Sequence, residues 1–133
     1  MGTSFNQPGP IDQYLKYLAA GQFKLQRSRS SGKYYYYPRA FTLGMSSRDV
    51  EWVDVSGLGR VYSSTIVRRS AKHGGDFNIA LVELDEGPRM LTRVLGISPD
   101  EVEIGMRVRA RIEPPSWEPA ASHPLVVFYP EAS

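Results

Sequence analysis

The sequence predicts a mainly β protein: one short N-terminal helix, a small unit of β-hairpins, and a C-terminal barrel of five strands. Three observations predict it. Apolar residues recur at helical spacing only near the N-terminus, at Ile11, Tyr14, Leu15 and Leu18. From Phe23 onward they alternate or cluster in short β-prone runs separated by glycine, proline and serine turns. A single helical signal, Ser98-Pro99-Asp100-Glu101, interrupts the later strands.

Each element has a local reason. Pro10 opens the helix, because proline's fixed φ suits the first helical position. Gly21 is its expected stop, since glycine accepts the left-handed conformation there. Phe23, Leu25 and Arg27 alternate with Lys24 and Gln26 as in a strand. The turn SRSSG leads to the run Tyr34–Tyr37, where Tyr34 and Tyr36 would share one strand face and Tyr35 and Tyr37 the other. Val50, Trp52, Val53 and Val55 run into the turn Ser56–Gly59, and Val61–Val67 follow as a long β-rich segment. Phe77–Leu84 and Met90–Leu95 flank Glu86-Gly87-Pro88 as a hairpin. Ser98, with Glu101 three residues on, reads as a capping box on a very short helix or turn. Met106–Ile112 alternates strictly, and Leu125–Tyr129 is the last strand. The segment 113–124, EPPSWEPAASHP, reads as a rigid, exposed loop. Five strands with a helical turn between the third and fourth is the order of an OB-fold, a partly open Greek-key barrel. The expected division is a loose arm at 1–9, helix and hairpin unit at 10–48, and barrel domain at 49–133.

Composition narrows the chemistry. The 133 residues are 41% hydrophobic and 23% charged, with no cysteine. A chain of this size buries roughly two thirds of its unfolded surface, so it can fold without a metal or disulfide staple. Without cysteine there is no disulfide, thiol nucleophile or iron–sulfur ligation. The net charge is only +2, so a dedicated nucleic-acid binder is not expected. No apolar run reaches the roughly 18 residues of a membrane span, and the N-terminus lacks a signal-peptide pattern. A soluble cytoplasmic protein is the expectation.

The stretches YLKYLAAGQFKLQRS, YYPRAF, SSRDVEWVDVSGLGRVYSSTIVRR, ALVELDEGPRMLTRVLG and IGMRVRARIE resemble members of domain-of-unknown-function family thirty-five. That resemblance covers most of residues 11–113. It implies an N-terminal helix, a rubredoxin-like zinc ribbon and an OB-fold, in a protein that accompanies thiolase-like enzymes and takes part in binding acyl-CoA. The ribbon's metal positions are where this chain departs. Its knuckles offer Ser28 and Ser31, then Thr42 and Met45, in place of four cysteines. Neutral hydroxyls and a thioether do not supply the charge that thiolates give zinc. The ribbon is therefore read as degenerate and metal-free, held by hydrogen bonds and the aromatic run.

Two constellations remain as candidate sites. The four tyrosines Tyr34, Tyr35, Tyr36 and Tyr37 read either as packing between ribbon and barrel or as an aromatic surface for a partner. Arg107, Arg109 and Arg111 share one strand face, read either as a solvated outer face or, with Arg68, Arg69 and Lys72, as a rim for the phosphates of coenzyme A. No nucleophile–base–orienter set and no phosphate loop emerges, so no catalytic residue is assigned. His73 and His123 sit in no recognisable motif. The resulting expectation is a non-catalytic accessory subunit, in a hetero-oligomer with a thiolase-like or related acyl-CoA enzyme. It carries no cofactor of its own, with a coenzyme A thioester as a shared ligand. The alternative is an OB-fold binder of single-stranded nucleic acid. An independent small enzyme has no support in the residues.

Overall fold

The computed structural model describes residues 9–38, 49–115, 117 and 123–131. Helix α1 (Pro10–Ala19) begins at Pro10 and ends as expected. Gly21 has φ +79°. Its N–H donates to Leu18 O, and the Gln22 N–H donates to Tyr17 O. This pair of bonds satisfies carbonyls the last helical turn would otherwise leave open.

The first sheet has three antiparallel strands, β1 (Lys24–Ser28), β2 (Tyr34–Tyr35) and β3 (Val50–Asp54), in the order β2-β1-β3. Strand β3 pairs with β1 over its full length, Lys24 opposite Asp54 through Ser28 opposite Val50. The run from Val50, expected to lead into the barrel, thus completes the ribbon sheet by hydrogen bonding. Bidentate donation from Arg27 to Glu51 Oε2, at 3.0 and 2.7 Å, bridges β1 to β3. The helix docks on this sheet through Trp52, whose Nε1–H donates to Gln13 Oε1 at 2.9 Å and whose ring lies 5.3 Å from that of Tyr17.

The second sheet is the OB-fold barrel. It comprises β4 (Leu58–Val67), β5 (Phe77–Leu84), β6 (Arg89–Thr92), β7 (Arg107–Glu113) and β8 (Leu125–Pro130), in the order β6-β5-β4-β7-β8. Strand β5 buries every second residue, Asn78, Ala80, Val82 and Leu84, which is the period-two signature of a half-buried strand. A register shift between Val61 and Ser63 bends β4. Its N-terminal end pairs with β7, while β5 accompanies it throughout. The barrel closes where residues 93–95 meet β8: Phe128 N–H donates to Arg93 O, and Leu95 N–H to Phe128 O. The helical turn lies between β6 and β7 as a single 3₁₀ turn, Pro99–Glu101. Ser98 precedes it in extended conformation, but no side-chain cap bond forms. The Glu101 N–H that the expected capping box requires already donates to Ser98 O at 2.9 Å.

Helix, ribbon and barrel share one core. Tyr14 and Leu18 from α1, Leu25 from β1 and Val61, Val82, Val108 and Phe128 from the barrel form a continuous cluster. Fully burying a side chain such as Phe128 contributes about 1.5–3 kcal/mol. No described helix is long and apolar enough to cross a membrane.

Candidate functional site: an apolar groove with an aromatic-clamped arginine

Where the ribbon's first knuckle would hold metal, hydrogen bonds converge on a carboxylate. The Ser28 hydroxyl, fully buried, donates to Asp49 Oδ2 at 2.6 Å and accepts from Ser31 N–H at 3.1 Å. Ser30 donates to the same carboxylate through its hydroxyl at 2.9 Å and its N–H at 3.0 Å. The Ser28 bond, aided by those from Ser30 and by the Arg29 charge, holds the Asp49 carboxyl below its ordinary range despite some burial. These donors do not fit zinc: the hydroxyls are engaged and neutral. Thr42 and Met45 lie outside the described residues.

The tyrosine run does not behave as one strand. β2 ends at Tyr35, and Tyr36 and Tyr37 turn together onto the helix. Their rings lie 6.1 and 6.2 Å from that of Tyr14, edge to face, and 5.3 Å from each other. Tyr34 instead lies against the Arg27 guanidinium, and Tyr35 against Lys33. The run therefore divides 34/35 from 36/37, not by alternation, because the strand stops after two residues. Burial pushes the Tyr14 hydroxyl well above its ordinary range and raises that of Tyr36.

Tyr36 and Tyr37 form one corner of a groove of about 330 Å³. Tyr14, Leu15 and Leu18 of α1 line one wall; Met90, Leu91 and Thr92 of β6, with Val126 of β8, line the other. Of its lining, Tyr37 and Leu91 remain exposed, Leu91 at 67%. Arg93, Trp117 and His123 also line it. The Arg93 guanidinium sits 4.0 Å from the ring centroid of Phe77 and 4.0 Å from that of Trp117. Arg69 approaches the same Phe77 ring at 4.7 Å. Burial, and then the Arg69 charge, lowers the affinity of Arg93 for its proton, though a guanidinium remains protonated. Among the described residues no carboxylate forms an ion pair with Arg93.

The six cations expected to form a phosphate rim do not come together. Arg107 pairs with β4 at Arg60, whereas Arg68 lies just past the other end of that strand. Eight residues separate Arg60 from Arg68, up to about 26 Å at the usual rise. Three of the six are held by carboxylates: Arg68 by Asp76 and Asp100, Arg107 by Asp85, and Arg109 by Glu131. Arg111 stacks on Tyr129 at 4.2 Å. The exposed face of β7 does match its alternation, with Arg107, Arg109 and Arg111 outward.

Sequence reasoning missed Arg93, Trp117 and His123. Trp117 and His123 belong to the proline-rich segment read as an exposed loop, yet both are partly covered and line the groove. The available signal was the tryptophan itself, since an aromatic in a polar loop tends to find a surface to cover. His73 is exposed, with Nδ1 2.9 Å from Ser70 Oγ. Among the described residues, no nucleophile, base and orienting group converge, and no cluster of three metal-ligating side chains forms.

Residues 52–113 match the family described as the C-terminal OB-fold domain of ChsH2. A DUF35 domain-containing scaffold protein of Pyrococcus furiosus is 37% identical over 65 residues, 47% of this chain and 48% of that protein. A solved DUF35-family protein of Sulfolobus solfataricus shares the fold at a TM-score of 0.61 and 17% identity, over 98% of this chain and 92% of that one. Over its barrel half the chain is similar to members of the DUF35 family. The chain also resembles a chain of the Ltp2-ChsH2(DUF35) aldolase, with a TM-score of 0.76 and 27% identity over 93% of this chain and 96% of that one. The 3-oxo-4,17-pregnadiene-20-carboxyl-CoA hydratase alpha subunit of Mycobacterium tuberculosis is 44% identical over 79 residues, 56% of this chain and 25% of that protein. The chain spans between a fifth and about half of the length of the curated relatives it matches.

Proposed function

We propose that this chain is a non-catalytic accessory subunit that docks onto an acyl-CoA enzyme. The observation that carries the reading is the likeness, over nearly the whole of both chains, to a chain of the Ltp2-ChsH2(DUF35) aldolase. Relatives of its barrel are named as alpha subunits of CoA-thioester hydratases, which supports the same class of partner. The physical support is that the exposed apolar side chains of Tyr37 and Leu91 line one groove. Interface cores are enriched in such aromatic and aliphatic anchors.

The finer reading is a hydratase-, aldolase- or thiolase-like partner with a coenzyme A thioester as shared ligand. Arg69 and Lys72 offer positive charge for its phosphates, since neither forms an ion pair among the described residues. The single-strand reading has less support, because carboxylates already neutralise Arg68, Arg107 and Arg109.

The test is purification of the tagged chain from its native host, followed by size-exclusion chromatography, identification of co-eluting proteins and assay of each fraction. Co-elution, with turnover only in fractions containing the enzyme, is the expected result. Turnover by the isolated chain, or a lone chain that binds single strands in a salt-sensitive manner, would overturn it.

A further inference from the structure

We propose that the groove between α1 and the barrel binds a small amphipathic acid, its carboxylate held by Arg93 and its hydrocarbon tail lying along Leu15, Met90 and Leu91. The inference concerns a ligand of this chain itself and does not rest on the accessory-subunit reading.

Six of the described arginines have a carboxylate at ion-pair distance in addition to any ring contact: Arg27, Arg29, Arg68, Arg89, Arg107 and Arg109. Arg93 has aromatic rings within 4.0 Å and, among the described residues, no carboxylate. Phe77 and Trp117 fix the guanidinium, and rings stacked on a guanidinium leave its edge N–H groups free to donate. That edge is a fork that matches the two oxygens of a carboxylate. A second guanidinium, Arg69, shares the Phe77 ring and adds positive charge; among the described residues that guanidinium forms no ion pair. A partly buried cation beside another cation is costly unless an anion joins it.

Shape supplies the rest. The groove is mostly apolar, and its volume of about 330 Å³ falls at the lower end of small-molecule sites, which run from roughly 300 to 1,000 Å³. Apolar walls with one fixed cation select an anionic head on a hydrocarbon. A free polyphosphate has no tail to bury, and a neutral lipid leaves Arg93 unmatched. The barrel positions both features. The 93–95 segment that closes the barrel against Phe128 carries Arg93, and β6 immediately before it supplies Met90 and Leu91.

Isothermal titration of the full chain with decanoate tests the assignment, with decanol and free coenzyme A as comparison ligands. Decanoate is expected to bind saturably at one site. Arg93→Gln should weaken it at least about tenfold, the loss typical of a charge-assisted bond. Decanol should bind wild type at least about tenfold more weakly than decanoate does. Leu91→Asp, at an exposed position that leaves the fold intact, should also weaken decanoate. Circular dichroism verifies the fold of both variants. Absence of saturable decanoate binding, equal affinity in Arg93→Gln, equal affinity for decanol, or displacement of decanoate by free coenzyme A would each overturn the proposal. Co-elution of Arg93→Gln with the acyl-CoA enzyme reports separately on the accessory role.

Discussion

Asp49 carries the degenerate knuckle. Two serine hydroxyls and a backbone N–H donate to it, and Ser28 is closed off from solvent. Its folded-state pKa lies below its unfolded value, the Ser28 bond being the largest cause. A group of that sign contributes stability that is present above the unfolded pKa and is lost as pH falls through the folded one. Asp49→Asn should therefore lower the melting temperature at pH 7. The gap from wild type should shrink as pH drops below about 4, the ordinary aspartate range. Melting curves from pH 7 to pH 3 check this, and a gap constant across that range would exclude the carboxylate as the knuckle's clasp. The same residue shows the limit of sequence reasoning. Lost cysteines were plain at Ser28 and Ser31, but the partner that replaced the metal lies 21 positions from Ser28, at the start of another strand.

At the scale of elements, β4 and β5 approach so closely that one position excludes any side chain. A Cβ on Gly59 would lie 2.6 Å from Glu83 O and 3.0 Å from Val82 Cγ1. The first of these atoms is backbone and cannot swing aside. Gly59→Ala is thus expected to destabilise by about 1–3 kcal/mol, the range for overpacking a close-packed core. Urea denaturation measures it, and an unchanged midpoint would mean that the two strands separate freely. Elements were the most legible level in the sequence. The stop at Gly21, the alternation of β5 and β7, and the hairpin at Gly87 each follow from local rules with periods of two or four residues. The exceptions were strands whose fate depends on a distant neighbour. β3 joined the ribbon because β1 offered it five residues of matched register. The tyrosine run left its strand after Tyr35, where Tyr36 and Tyr37 pack on Tyr14.

For the whole molecule, closure of the barrel depends on a polar residue in the core. Asn78 is 3% exposed. Its side chain donates to Val94 O at 2.7 Å and accepts from Val94 N–H at 2.9 Å. It thereby takes the place of a ladder partner for the segment that meets Phe128. Asn78→Ala leaves a buried donor and a buried acceptor unpaired, at about 1–3 kcal/mol each. We expect a loss of about 2–6 kcal/mol in chemical denaturation and faster hydrogen exchange at Val94 and Phe128. Unchanged exchange at Val94 would show that closure does not depend on Asn78.

The sequence by itself determined the mainly β class, the five-strand order with its helical turn, the single N-terminal helix, and the absence of thiolates for a metal. These follow from short-range periodicity and from residue chemistry, which need no knowledge of neighbours in space. Tertiary structure alone decided which cations are neutralised and which face a groove. Arg68, Arg107 and Arg109 read as free charges along the chain, and register places an acid on each. Arg93 drew no notice in sequence, yet the barrel sets it between Phe77 and Trp117, 16 positions before it and 24 after it. Charge compensation is a property of contacts between distant segments, and no local pattern encodes it.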